Sequence, residues 1–79
     1  MVTLVFDKQF VKKFSKADSQ MQEKIRNQIK KIVKTPELGK PMKYSRKGTR
    51  EVYISPYRMS YLFQDETIII ADLCHKDNQ

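Results

Sequence analysis

The sequence predicts an α+β fold, in which two N-terminal helices pack on one face of a small, mostly antiparallel sheet in the order β-α-α-β-β-β. Three observations predict it: a short β-branched and aromatic run near the N-terminus, an apolar repeat with helical spacing that ends at residue 33, and alternating segments after residue 49. Early helices followed by late strands are typical of α+β domains. At 79 residues, the chain is expected to form one domain, residues 1–79.

The first strand and the first helix are predicted from the N-terminal segment. Thr3–Phe6 has the sequence TLVF, which indicates a strand buried on both faces. Asp7 follows as the expected N-cap of a helix. Phe10, Val11 and Phe14 then recur at helical spacing. A short first helix is therefore expected, and it ends at the polar residues that follow Phe14.

A longer second helix is predicted from about Asp18 or Ser19 to Lys34. Its apolar residues recur at intervals of four, four, three and one, with basic residues and glutamine between them, which indicates an amphipathic helix. These apolar residues are Met21, Ile25, Ile29, Ile32 and Val33. Thr35–Pro36 ends the helix, because proline disfavours helical backbone at the residue before it.

The C-terminal half predicts a connector and then three strands. Prolines and glycines between residues 36 and 49 indicate a connector without regular structure. The three strands are expected to form an antiparallel meander. The expected elements are a strand around Val52–Ile54, a tight turn at Ser55–Pro56, a strand from Tyr57 to Gln64, a turn at Asp65–Glu66 and a strand from Thr67 to Leu73.

The charge composition favours a polyanionic partner. Sixteen lysines and arginines against nine aspartates and glutamates give a net charge of +7, and neutralising phosphates with such groups releases counterions. Cys74 is the only cysteine and His75 the only histidine, so no disulfide, metal site or cofactor is expected. The N-terminus is unlike a signal peptide and no run approaches about 20 apolar residues, which predicts a cytoplasmic protein without a membrane span.

Arg50 and Arg58 are the first candidates for a functional site. If their strands pair across the short turn, the two guanidinium groups are expected to approach each other on the same or neighbouring rows. Two such groups attract an anion between them, and arginine binds phosphate oxygens in a bidentate manner. The alternative is that both arginines form ordinary surface ion pairs, and the charge pattern alone favours this alternative.

The tyrosines and the C-terminal residues also have two interpretations each. Tyr53, Tyr57 and Tyr61 either stack on nucleic-acid bases or are half-buried sheet residues with the hydroxyl group in water, and the pattern favours the second. His75 is a candidate general acid or base, although a lone histidine at a chain end is more often solvated. Cys74 is expected to be a small buried strand residue, and the lysines of the second helix are expected to form a solvated face.

In this order, the predicted elements and several segments resemble the RelE/ParE superfamily of toxins from bacterial and archaeal type II toxin–antitoxin pairs. The matching segments are FDKQFVKKF at the entry to the first helix, TPELGKPM after the second helix, REVYISPYRMSY across the predicted hairpin and LCHKD at the end of the last strand. Together they cover nearly the whole chain. The resemblance implies a RelE/ParE-like fold.

The resemblance also implies an mRNA interferase: a toxin that blocks translation by ribosome-dependent, metal-independent cleavage of mRNA in the decoding site. In that reaction a ribose 2′-hydroxyl group attacks the adjacent phosphate, so the protein orients the nucleotide, stabilises negative charge and assists proton transfer. The residues implied as catalytic are Arg50 at the nucleophile, Arg58 at the scissile phosphate, and His75 and Lys76 as proton donor and phosphate contact. The residues expected to bind RNA or the ribosome are Lys40, Lys43, Tyr44, Arg46, Lys47, Tyr53 and Tyr57.

Three departures from the family pattern leave other functions open. Val52 stands where many active members have a second basic residue, Asp77 stands where a further basic residue is common, and the sequence stops at Gln79 without the tyrosine that several members carry. The alternatives are therefore a catalytically weakened RNA or ribosome binder and a ParE-like inhibitor of DNA gyrase. An acidic antitoxin protein is the partner implied under every toxin function.

Overall fold

The computed structural model describes residues 2–41 and 48–75, which form one five-stranded sheet and two helices. The elements are β1 (Thr3–Phe6), α1 (Lys8–Lys16), α2 (Ser19–Lys34), β2 (Lys40–Pro41), β3 (Thr49–Ile54), β4 (Tyr57–Gln64) and β5 (Thr67–His75). The strand order is β1-β5-β4-β3-β2, with β1 parallel to β5 and the other neighbours antiparallel. The predicted α+β fold is confirmed.

Two predictions about strands are wrong. β1 is not buried on both faces: Val5 is 43% exposed and Phe6 is 44% exposed, because β1 lies at the edge of the sheet and carries a neighbour on one side. The connector after α2 was expected to lack regular structure, but it contains the two-residue strand β2, which pairs with β3. Residues 42–47 of this connector lie outside the described part of the chain.

Both helices begin after an aspartate that caps them. The Asp7 carboxylate accepts a hydrogen bond from Gln9 N at 2.9 Å, as the sequence predicts. Asp18 accepts one from Met21 N at 2.8 Å. Each cap satisfies an amide group of the first turn and contributes about 1 kcal/mol. Within residues 2–41 and 48–75, no helix is long and apolar enough to span a membrane.

The core lies between the two helices and one face of the sheet, which we call the helix face. Alternate residues of the sheet point to this face and are buried against apolar helix residues. Each fully buried side chain of this kind contributes about 1.5–3 kcal/mol. The core residues are Phe10, Ile25, Ile29, Ile32, Val52, Ile54, Met59, Tyr61, Ile68, Ile70 and Leu73. We call the opposite side of the sheet the distal face.

Tyr61 attaches the connector after α2 to the sheet. Its side chain is fully buried, and its hydroxyl group donates to Pro36 O at 2.7 Å and accepts from Gly39 N at 2.8 Å. A Cβ atom at Gly39 would lie 2.7 Å from the tyrosine oxygen, so only glycine fits here. Burial raises the pKa of Tyr61 and outweighs the opposing effects of Gly39 N–H and Arg50. These contacts hold the start of β2, with Lys40, beside β3.

Candidate functional site

The hairpin of β3 and β4 separates the two arginines that were expected to meet. Arg50 lies opposite the buried Tyr61. Arg58 lies opposite Tyr53, which is 55% exposed. Residues that face each other in an antiparallel pair share one side of the sheet. Arg50 is therefore on the helix face and Arg58 on the distal face, and the expected approach of their guanidinium groups is wrong.

Arg50 binds the backbone of the connector. Its Nη1 atom donates to Gly39 O at 2.8 Å and to Glu37 O at 3.1 Å. Both acceptors lie between α2 and β2, next to the carbonyl and amide groups that bind Tyr61. The geometry therefore gives Arg50 a structural contact, on the side of the sheet away from Arg58.

Arg58 belongs to a group of four polar side chains on the distal face, which we call the distal cluster. Glu51 lies diagonally across from it, with Glu51 Oε1 at 3.9 Å from Arg58 Nη1. Lys40 lies opposite Glu51 in the β2–β3 pair, and Tyr53 completes the group. The four residues line a cavity of about 300 Å³. The side chains of Arg58 and Glu51 are 35% and 29% exposed, so a ligand in the cavity can reach both.

β5 extends the polar surface of the distal face from Arg58 toward α1. Cys74 lies opposite Arg58, and the Asp72 carboxylate accepts hydrogen bonds from Lys13 Nζ at 2.8 Å and from the Cys74 thiol at 3.3 Å. Partial burial raises the pKa of Asp72, but these bonds and one from a backbone amide outweigh it and lower the pKa. Burial and the neighbouring Asp72 raise the pKa of the Cys74 thiol, which keeps it protonated and weakly nucleophilic.

His75 and Tyr57 lie together on the helix face. They are paired between β5 and β4, and their rings meet edge to face with centroids 5.3 Å apart. Side chains alternate along a strand, so both point away from the side that carries Arg58 and Cys74. The predicted catalytic residues are thus divided, with Arg58 on the distal face and Arg50 and His75 on the helix face.

The three hairpin tyrosines have three different environments. Tyr53 is exposed beside Arg58, Tyr57 is half-buried against His75, and Tyr61 is fully buried. The expectation of a hydroxyl group in water is wrong for Tyr61, which bonds the connector. Six further residues singled out in the sequence lie outside the described part of the chain: Lys43, Tyr44, Arg46, Lys47, Lys76 and Asp77.

The distal cluster was not predicted from the sequence as one site. Val52, which stands at a position where a basic residue was expected, is 7% exposed in the core and does not face Arg58. The β3 side chains that share the face of Arg58 are Glu51 and Tyr53. Within the described ranges, no group of three or more histidine, cysteine or acidic side chains is arranged to hold a metal ion.

Positive charge is concentrated on the helices. α1 and α2 together contain nine lysines and arginines and one glutamate. In the distal cluster, by contrast, Lys40 and Arg58 share the cavity with the negative Glu51. Among residues 2–41 and 48–75, the helices therefore carry most of the positive charge that would attract a polyanion at long range. The distal cluster holds the side chains suited to local chemistry.

The structure is a small α+β domain, with two helices on one face of a five-stranded sheet and a cluster of basic and acidic side chains on the other. Comparison with protein families shows which family it belongs to. Residues 4–79 match the family model of the ParE toxin of type II toxin–antitoxin systems, parDE. The chain therefore belongs to this toxin family, and the resemblance to the RelE/ParE superfamily is confirmed. A comparison with curated proteins gives no match.

Several solved toxin structures share the fold. The isolated RelE toxin of E. coli is 18% identical, with a TM-score of 0.81 over 95% of this chain and 84% of that chain. A chain of the intact E. coli RelBE toxin–antitoxin complex is 18% identical, with a TM-score of 0.83 over 95% and 96%. A chain of the RelB–RelE complex from Methanococcus jannaschii is 19% identical, with a TM-score of 0.78 over 94% and 92%. At these identities the likeness shows the fold.

Proposed function

We propose that this toxin inhibits translation by cleaving mRNA on the ribosome, without a metal ion. The observation that carries the proposal is the distal cluster, in which an arginine, a lysine, an exposed tyrosine and a carboxylate surround one cavity. Cleavage of RNA by its own 2′-hydroxyl group needs orientation of the nucleotide, stabilisation of negative charge and proton transfer. The four side chains offer groups for all three tasks.

Arg58 is the proposed binder of the scissile phosphate. It lies on β4, between β3 and β5, where pairing on both sides holds its backbone. A guanidinium group presents paired N–H donors to two phosphate oxygens and keeps its charge as negative charge develops. The distance of 3.9 Å to Glu51 exceeds that of a hydrogen bond, so a phosphate can replace this ion pair at small cost.

Tyr53 and Lys40 are proposed to position the RNA around that phosphate. The exposed ring of Tyr53 can stack on a base, an interaction worth about 1–3 kcal/mol in single-strand binders. Lys40 can contact a backbone phosphate without reading a base. Arg50 and His75, on the helix face, receive no chemical step in this proposal.

The test is cleavage of a defined mRNA on purified ribosomes, mapped by primer extension. The wild-type toxin is expected to cut within the decoding-site codon, and only when ribosomes are present. Arg58→Ala should lower the cleavage rate by about 10²–10³, as loss of a charge-stabilising donor does. Lys30→Ala is the control, because it removes one positive charge from an exposed position of α2 that lines neither the cavity nor a groove. Cleavage by Arg58→Ala at the wild-type rate would refute the phosphate role.

The family match favours a second candidate function, in which the toxin inhibits DNA gyrase by binding it and catalyses no reaction itself. The same preparation distinguishes the candidates. Inhibited supercoiling by gyrase, with neither mRNA cleavage nor binding to ribosomes, would support this candidate. Co-sedimentation with ribosomes in the absence of cleavage would instead identify a catalytically weakened ribosome binder.

We also infer that the partner is an acidic antitoxin that places an amphipathic helix in an apolar groove between β1 and the helices. The groove has a volume of about 270 Å³, and Phe6 and Val11 in its wall are 44% and 49% exposed. The surrounding helices are strongly basic, so apolar and acidic side chains on one partner helix would match both the groove and its rim. The lining residues are Phe6, Phe10, Val11, Phe14, Arg26 and Ile29.

A further inference from the structure

Glu51 lies beside the proposed phosphate site and lines the same cavity as Arg58. β3 fixes its position between two neighbouring strands, opposite Lys40 on β2 and Ser60 on β4. We propose that the Glu51 carboxylate is the general base that takes the proton from the ribose 2′-hydroxyl group. This role rests on the proposed function and assigns one chemical step of it to a named residue.

The proposed step is a transesterification within the RNA. The 2′-hydroxyl proton passes to Glu51 while the 2′-oxygen forms a bond to phosphorus, and the bond from phosphorus to the 5′-oxygen of the next nucleotide breaks. The departing 5′-oxygen takes a proton from water, and Glu51 later returns its proton to the solvent. The products are a 2′,3′-cyclic phosphate and a 5′-hydroxyl end. A positioned general base contributes about 10²–10⁴ to such a rate.

The geometry of the distal cluster suits this step. In RNA the 2′-hydroxyl group is on the carbon next to the one that carries the phosphate, so the base and the phosphate donor must lie within a few ångströms of each other. Glu51 Oε1 and Arg58 Nη1 are 3.9 Å apart and both reach the cavity.

The other groups near Arg58 are less suited to act as the base. Both oxygens of Asp72 are engaged, with Lys13 at one and the Cys74 thiol at the other. His75 lies on the helix face, against Tyr57. In the described part of the chain, Glu51 is therefore the carboxylate that both lines the cavity and faces Arg58.

A purely electrostatic role for Glu51 predicts the opposite result from catalysis. If Glu51 only neutralises Arg58, its removal leaves more positive charge for the phosphate, and the toxin should then bind RNA more tightly and cleave it at the same rate or faster. If Glu51 is the base, its removal should slow cleavage even though binding is unchanged or tighter. The direction of the rate change therefore distinguishes the two roles.

The experiment measures single-turnover cleavage of ribosome-bound mRNA by the wild type, Glu51→Gln and Glu51→Asp. We expect Glu51→Gln to lower the rate constant by about 10² or more, with co-sedimentation on ribosomes unchanged or stronger. Glu51→Asp keeps the carboxylate and should give an intermediate rate. The matched control Glu23→Gln removes the same charge from the exposed surface of α2 and should cleave as the wild type does.

Three results would overturn the assignment, and they are distinguishable. Cleavage by Glu51→Gln at or above the wild-type rate would refute the base while leaving the proposed function in place. Equal loss in the glutamine and aspartate variants, with reduced ellipticity in both, would show a structural role. A wild-type toxin that binds ribosomes but never cleaves would refute the proposed function itself, and with it the step assigned to Glu51.

Discussion

Replacing Tyr61 with phenylalanine is expected to destabilise the fold by about 2–3 kcal/mol. The substitution keeps the buried ring, so it opens little space, but it removes the hydroxyl group that donates to Pro36 O and accepts from Gly39 N. Each hydrogen bond contributes about 1 kcal/mol net, and the buried Gly39 amide is left without its acceptor, which costs about 1–3 kcal/mol. The decrease in the free energy of unfolding should therefore exceed that caused by a typical surface substitution.

The assay is urea and thermal unfolding followed by circular dichroism. In a domain of this size each kcal/mol corresponds to about 4–8 °C, so Tyr61→Phe should lower Tm by roughly 10–20 °C. The control is Tyr53→Phe, since Tyr53 is 55% exposed and its hydroxyl group lies 3.4 Å from Ser55 Oγ, a long hydrogen bond. The control should change stability by less than about 0.5 kcal/mol. An equally small change in Tyr61→Phe would refute the anchoring role.

The pH dependence of stability provides a second test of the role of Tyr61. Burial raises the folded-state pKa of Tyr61 above the unfolded value of about 10. Its contribution to stability is therefore complete below about pH 10 and is lost as the pH rises toward the folded-state pKa, because the unfolded chain releases the proton first. Unfolding midpoints near pH 8 and about pH 11 should differ more in the wild type than in Tyr61→Phe.

Two further stability predictions follow from single contacts. Arg50→Met should remove the hydrogen bonds to the Glu37 and Gly39 carbonyls and lower the free energy of unfolding by about 1–3 kcal/mol. Cleavage per folded molecule should persist. Loss of cleavage at unchanged stability would contradict the structural role. Asp72→Asn should make the stability of the fold less sensitive to acid. Burial raises the pKa of Asp72, but hydrogen bonds, including the one from Lys13, outweigh it and lower the pKa. The ionised Asp72 therefore stabilises the fold above about pH 4, and this contribution is lost as the pH falls. Unfolding midpoints at about pH 6 and pH 3 test this, and equal acid sensitivity in both proteins would contradict it.

Elements with a long apolar pattern were predictable, and the shortest strand was not. The apolar repeat predicts α2, the Thr35–Pro36 pair predicts where α2 ends, and alternating apolar and polar residues predict β4. β2 has two residues, one of them a proline, so its sequence has neither period nor propensity. It exists because Tyr61 and Arg50 hold the connector against β3.

The division of the site between two faces was contained in the sequence but needed the register. A two-residue turn at Ser55–Pro56 pairs position 54 with 57, and therefore Tyr53 with Arg58 and Arg50 with Tyr61. The pattern of each strand taken alone does not show that Arg50 and Arg58 lie on opposite faces. The Lys13–Asp72 bond, by contrast, joins residues 59 positions apart and depends on how α1 packs against β5, which no local pattern specifies.

Side chains of β3 and β4 alternate between the helix face and the distal face. A substitution in the distal cluster therefore leaves the core residues unchanged. Truncating buried Ile54 or Met59 to alanine costs about 2–5 kcal/mol, whereas exchanges on an exposed face are usually within about 0.5 kcal/mol. Side chains of the distal cluster can therefore change while the scaffold persists, which is how one fold comes to serve different targets. Exchanging Glu51 and Tyr53 for basic residues would recharge the cavity around Arg58 and leave every buried contact of β3 in place.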